Sequence, residues 1–140
     1  MANPIIIGET IKTPEGVDNA KVIGLFRPSV GVLNTFSLHS EETGADYQVP
    51  VGRKFLMLTI SAFPVGAFTT YSTNIIWNSN ASDSATGTTV YRNVIGGNAS
   101  TGSPGVNNAC YAVFTAGNYV NSQENGMSTG ITARGIEIDA

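Results

Sequence analysis

The segment Val49-Pro50-Val51-Gly52-Arg53-Lys54-Phe55, which runs directly into Leu56 to Ala62, constrains the fold of this chain more than any other. Proline fixes its own φ and lacks an amide hydrogen, and glycine tolerates positive φ, so Pro50 and Gly52 predict a tight turn. The apolar residues that follow predict a long strand launched by that turn. A second phrase, Phe114-Thr115-Ala116-Gly117-Asn118-Tyr119-Val120, stands near the C-terminus, and the chain closes on an apolar run from Ile131 to Ile138. Together the three predict an antiparallel β-sandwich.

The rest of the chain repeats the pattern of short runs separated by turn signals. The runs are Lys21 to Phe26, Val32 to Leu38, Tyr47 to Val51, Lys54 to Ala62, Tyr71 to Trp77, Thr88 to Ile95, Ala109 to Phe114, Asn118 to Val120 and Ile131 to Ile138. The pattern is that of an all-β sandwich or jelly roll of about eight strands. Gly, Thr, Asn and β-branched residues interrupt every candidate helix, so almost no helix is expected.

The division expected is a single sandwich domain over 20–140 preceded by an extended N-terminal arm over 1–19. The arm carries Ile5, Ile6, Ile7 and Ile11 among prolines, glycines and acids, with no helical period. Such a segment can pair with its own sheet edge or with another subunit, because an edge strand offers unpaired amide and carbonyl groups to either.

The strand from Lys54 to Ala62 reads as apolar on both faces, Phe55 and Met57 on one and Leu56, Leu58 and Ile60 on the other. That predicts a central strand covered twice, once by the opposing sheet and once by a loop or another subunit. Phe55 and Met57 are the expected outward contact residues. In the last run, Gly135 is a candidate bulge that switches the inward face. The segments 78–87 and 96–108 predict long loops, read either as solvent-facing tips or as contact surfaces.

Composition narrows the function classes. At 140 residues and 41% hydrophobic content the chain can bury a core without staples. Only 12% of residues are charged, against about 25% in an average soluble domain, so the surface is covered by Asn, Ser, Thr and Gly or is buried against neighbouring subunits. A net charge of −3 and scattered basic residues argue against nucleic acid as a partner. The N-terminus lacks a signal-peptide or membrane-span pattern, which predicts synthesis in a cytoplasm and no membrane partner. Cys110, alone of its type, reads as a buried small hydrophobe.

No constellation announces a reaction. His39 is the one histidine and reads as a loop or strand-end residue, with no nucleophile elbow or protease signature around Cys110 or any serine. The acidic turn Glu41-Glu42-Thr43-Gly44-Ala45-Asp46 matches no calcium loop and reads as solvated. No cofactor and no metal site is predicted, and the chain reads as a non-enzyme. Tyr71, Trp77, Tyr91, Tyr111 and Tyr119 suit either core packing or a sugar-stacking platform.

Three phrases carry a family resemblance: Val-Pro-x-Gly-Arg-Lys-Phe at 49–55, Ala-Gly-Asn-Tyr-Val at 116–120, and Ile-Thr-Ala-Arg-Gly-Ile-Glu-Ile at 131–138. Over roughly residues 45–138 the chain resembles the small jelly-roll decoration, or cement, proteins of tailed bacteriophages. The resemblance implies a homotrimer on the capsid exterior that binds the major capsid protein and stabilises the lattice. It carries no catalytic or ligand residue onto this chain. The arm isoleucines and the face near Phe55 and Met57 are the contacts expected. The alternative is a receptor- or glycan-binding tip of a phage tail or fibre, using Trp77, Tyr91 and the Asn-Ser-Gly loops. A start at Met1 with only a short arm favours decoration, since a tip continues from a shaft.

Overall fold

A computed structural model of the chain describes residues 5–7, 10–12, 20–28, 34–64, 71–96, 106–125 and 129–140. Its strands are β1 (Ile5–Ile7), β2 (Thr10–Lys12), β3 (Ala20–Phe26), β4 (Phe36–Ser37), β5 (His39–Ser40), β6 (Arg53–Pro64), β7 (Tyr71–Ser79), β8 (Thr88–Gly96), β9 (Val106–Thr115), β10 (Tyr119–Asn125) and β11 (Thr129–Asp139). No helix occurs among the described residues. One sheet has the order β1-β2-β3-β11-β6-β9, with β5 also pairing β3, and the other has the order β4-β10-β7-β8. Every pairing is antiparallel.

The path between sheets defines the fold. Setting aside the short β1, β2 and β5, each strand lies in the sheet opposite its predecessor, except for the β7–β8 hairpin. That leaves β3-β11-β6-β9 facing β4-β10-β7-β8, the wiring of an eight-stranded jelly roll. The core between them is made by Leu25, Leu38, Val49, Phe55, Met57, Ile60, Ile76, Phe114, Val120 and Ile131, all with 2% exposure or less. Phe55 sits at its centre, its ring centroid 5.3 Å from that of Tyr47 and 5.8 Å from that of Phe114.

The two turn phrases meet in space. Gly52 adopts φ of 77°, and the Arg53 amide donates to the Pro50 carbonyl at 3.1 Å, closing the predicted turn. The Val49 amide donates to Asn118 O at 2.9 Å and the Gly117 amide to Val49 O at 2.8 Å. The run from Tyr47 to Val51, expected as a strand, is instead an extended segment held by such bonds and by an isolated bridge between Gln48 and Tyr119. Pro50 has no amide hydrogen to continue a ladder there.

The expected irregularity at Gly135 is present, but the face switch lies elsewhere. Register shifts between Arg134 and Gly135, where Arg134 faces Thr59 and Gly135 faces Met57, so Leu58 is the extra residue on β6. On β11 the buried residues keep one parity through Ile131, Ala133, Gly135 and Glu137. On β6 they change from Phe55 and Met57 to Ile60 and Ala62. This corrects the expected facing: Phe55 and Met57 are fully buried, Ile60 joins them, and Leu56 and Leu58 turn outward. A Cβ on Gly135 would collide with the Leu56 carbonyl oxygen and the Phe55 ring, which is why the bulge needs glycine opposite it.

The N-terminal arm takes its own sheet edge. β1 pairs β2, and β2 meets β3 through Thr10 opposite Lys21 and Ile11 opposite Ala20. The loop after β7 is likewise folded back. Asp83, at φ of 49°, accepts the Ser37 amide at 2.8 Å, and Asn121 Nδ2 donates to Ala81 O and Ser84 O at 2.9 and 2.8 Å. This loop covers Ser37 and Asn121 on the small sheet. Most of the second long loop, 97–105, lies outside the described residues.

Candidate functional site

The most distinctive surface is the outer face of the large sheet. Cross-strand register places Val22 opposite Ile136, Ile136 opposite Leu56, and Leu56 opposite Val113, so one apolar row runs across β3, β11, β6 and β9. The row ends at the β9 margin, where Val113 is 50% and Tyr111 85% exposed. Leu56, Leu58, Tyr111 and Val113 line a shallow apolar groove there. Sequence parity alone put Phe55 and Met57 on this face. The bulge at Leu58 is the feature that parity missed, and the apolar residues on both parities of β6 were its only signal.

The other expected contact residues, Ile5, Ile6, Ile7 and Ile11, lie on β1 and β2, with Ile6 opposite Ile11. They sit at the far margin of the same sheet from β9. The structure therefore separates the arm from the Leu56–Val113 face.

The carboxylates of the acidic turn meet basic partners. Lys21 Nζ lies 2.6 Å from Glu42, Arg134 pairs with Glu41, and His39 Nε2 lies 2.9 Å from Asp46. His39 is a strand-end residue on β5, its ring edge-on to Phe26 at 5.6 Å. Among the described residues no group of three or more His, Cys, Asp or Glu side chains is assembled to hold a metal. Cys110 is buried, and burial pushes its thiol above the ordinary value.

The aromatic side chains divide between packing and exposure. Tyr91 packs against the core and its hydroxyl accepts hydrogen bonds from Asn93 at 3.2 Å and from Asn108. Trp77 is half-buried, its indole nitrogen fully so. Tyr111 stands out from β9. The side chain of Tyr71 lies outside the described residues.

Two buried polar clusters escaped sequence reasoning. Arg27 Nε lies 2.8 Å from Glu124 Oε1, while Nη1 donates to the Ser122 carbonyl and hydroxyl at 2.7 Å and Nη2 to Asn34 O at 2.6 Å. Burial lowers the Arg27 guanidinium from its ordinary value, and Glu124 opposes that shift. In the second cluster Tyr47 donates to Glu137 Oε2 at 2.7 Å, and Arg53 Nε to Glu137 Oε1 at 3.1 Å. Burial first, then the hydrogen bond and charge of Glu137, raise the Tyr47 phenol above its ordinary value. Both clusters unite residues far apart in sequence.

No protein-family model and no curated protein matches this chain. Solved structures similar to it span 99% of its length. One is the virus-like particle of the extra small virus of the giant freshwater prawn Macrobrachium rosenbergii, seen by cryo-EM, at 12% identity, TM-score 0.43 and 84% of that chain covered. Two are strains of infectious bursal disease virus, Gt at 12% identity and TM-score 0.32, and Gx at 10% and 0.34. The present chain covers 37% of the length of each of those two. No helix of the described residues is long and apolar enough to cross a membrane.

Proposed function

We propose that the chain is a structural protein of a virion, a jelly-roll building block that decorates the outside of a bacteriophage head and stabilises it through contact with the major capsid protein. The outer face of the large sheet carries this reading. An antiparallel sheet that faces water on one side presents polar residues there. This sheet presents the row Val22, Ile136, Leu56 and Val113, with Tyr111 and Leu58 beside it. Covering such a face with another protein removes apolar surface from water.

Jelly rolls serve in viral shells and in lectin and cupin domains, and fold alone does not choose among them. The choice here rests on the outward row together with the likeness of the 49–55, 116–120 and 131–138 phrases to decoration proteins. A protein that binds the assembled lattice in preference to free capsomers stabilises the lattice by linkage. The acidic turn, with Glu41 and Glu42 paired to Arg134 and Lys21, and the engaged Tyr91 hydroxyl suit a building block better than a reaction centre or a sugar platform.

Ile5, Ile6, Ile7 and Ile11 form a second contact in this reading, because among the described residues the two strands that bear them are joined to β3 through Thr10 and Ile11 alone. Imaging of the native particle tests the function: density for this chain on the outer capsid surface supports it, and density at a tail or fibre tip replaces it with receptor binding. Deletion of residues 1–19 is expected to leave a folded protein with reduced capsid occupancy, and unchanged occupancy removes the arm's role.

A further inference from the structure

The four sheet margins of this sandwich are not protected alike. At the β4 margin the outward amide of Ser37 is occupied by the Asp83 carboxylate at 2.8 Å. The β8 margin carries the exposed charge of Arg92. The large sheet ends on one side in β1, which is three residues long and follows Pro4 in sequence. These are the usual means by which a sheet avoids pairing with another chain: a cover, a charge, or a short strand next to proline.

Among the described residues the β9 margin has none of these three, and its one irregularity is a register shift against β6, where Met57 faces Ala112 and Thr59 faces Ala109. β9 runs for ten residues, Val106–Thr115, and among the described residues it pairs with β6 alone. From Asn93 to Gln123 the sequence contains no charged residue, in a chain that has seventeen elsewhere, from Lys+Arg 7 and Asp+Glu 10. Ala109, Tyr111, Val113 and Thr115 are exposed along it, while Cys110, Ala112 and Phe114 anchor the strand in the core. An open ladder of amide and carbonyl groups is satisfied most completely by another strand.

We propose that the partner is a second copy of this chain, with the two β9 strands antiparallel across a two-fold axis and the large sheets joined into one. Two features select a copy of the same chain. A two-fold contact brings a patch against itself, so a charged margin would repel its twin, and this margin is neutral over its whole length. The pairing also brings the Tyr111 and Val113 side chains of both copies onto one face, extending the Leu56–Val113 row across the junction. The two-fold pairing departs from the homotrimer that the resemblance implies, and its readout, the state of the free protein, is independent of the capsid reading.

The test is the mass of the purified chain in solution, by light scattering and sedimentation across the micromolar range. Twice the 14.6 kDa of one chain is expected. The double variant Tyr111→Lys with Val113→Lys places charge on exposed positions and is expected to give the mass of one chain. Thr89→Lys on the exposed β8 margin is expected to leave the dimer intact. A wild-type monomer or trimer overturns the proposal, as does a dimer that the double variant leaves unchanged. Should the double variant fail to fold, amide hydrogen exchange of the wild type decides. Protection of residues 109–115 that falls on dilution supports the pairing, and protection independent of concentration overturns it.

Discussion

Arg27 and Glu124 face one another between the two sheets, Nε to Oε1 at 2.8 Å, with both side chains fully excluded from solvent. Arg27 follows the end of β3 in the large sheet and Glu124 lies on β10 in the small one, so the pair ties the layers together where the apolar core gives way to polar residues. The Arg27 guanidinium also stacks on the Phe36 ring at 4.9 Å. Removing one partner of such a pair leaves an uncompensated buried charge, at a cost of about 3–5 kcal/mol. Glu124→Ala is expected to lose that much in urea unfolding. The double variant Arg27→Met with Glu124→Leu is expected to recover part of it, since an apolar pair leaves no charge unpaired but removes the donor to Ser122 and Asn34.

The Tyr47 phenol makes stability fall in alkaline solution. Its folded-state value is raised above the ordinary 10.0, so the folded chain holds this proton more tightly than the unfolded one does. The contribution is complete below about pH 10 and declines as pH rises beyond it. Tyr47→Phe is expected to remove this part of the decline. It also costs about 1.5–3 kcal/mol at neutral pH through the lost hydrogen bond to Glu137. Unfolding midpoints of both proteins between about pH 8 and pH 11 measure the two effects separately.

Two glycines are required for different reasons, and alanine distinguishes them. At Gly52 the φ of 77° is the obstacle and an added Cβ meets nothing within 4 Å. Gly52→Ala is therefore expected to cost about 1 kcal/mol, the backbone penalty alone. At Gly135 the obstacle is space, since the Leu56 carbonyl and the Phe55 ring occupy the site. Gly135→Ala is expected to cost about 3 kcal/mol through overpacking. Equal losses in thermal unfolding would contradict this assignment.

Phe55 and Tyr111 mark the two extremes of burial in the large sheet. Phe55→Ala opens a cavity at the centre of the core and is expected to cost about 3–5 kcal/mol. Tyr111→Ser changes a side chain that is 85% exposed and is expected to alter the stability of the single chain by less than about 0.5 kcal/mol. Urea unfolding of both variants at low protein concentration checks both values.

Much of the strand plan was legible because it rests on local chemistry. The Val-Pro-x-Gly turn, the runs that became β3, β6, β7, β8, β9 and β11, and the glycine at the irregularity were read from residue types whose φ preferences and alternation act within a few positions. The inward face of β6 was not legible. It depends on Leu58 being the extra residue against β11, and a bulge is a property of two strands paired, not of either alone. The buried polar clusters were hidden for the same reason: Arg27 and Glu124, or Tyr47 and Glu137, become neighbours only after the sheets stack.

By itself, the sequence determined that this chain is an all-β sandwich with few charges, because alternation, turn residues and composition are local quantities. Only the tertiary structure decided which apolar face of β6 meets the core, which carboxylates are buried, and which strands end each sheet among the described residues. Each of those depends on register and on the order of strands, and both are set by contacts between residues distant in the chain.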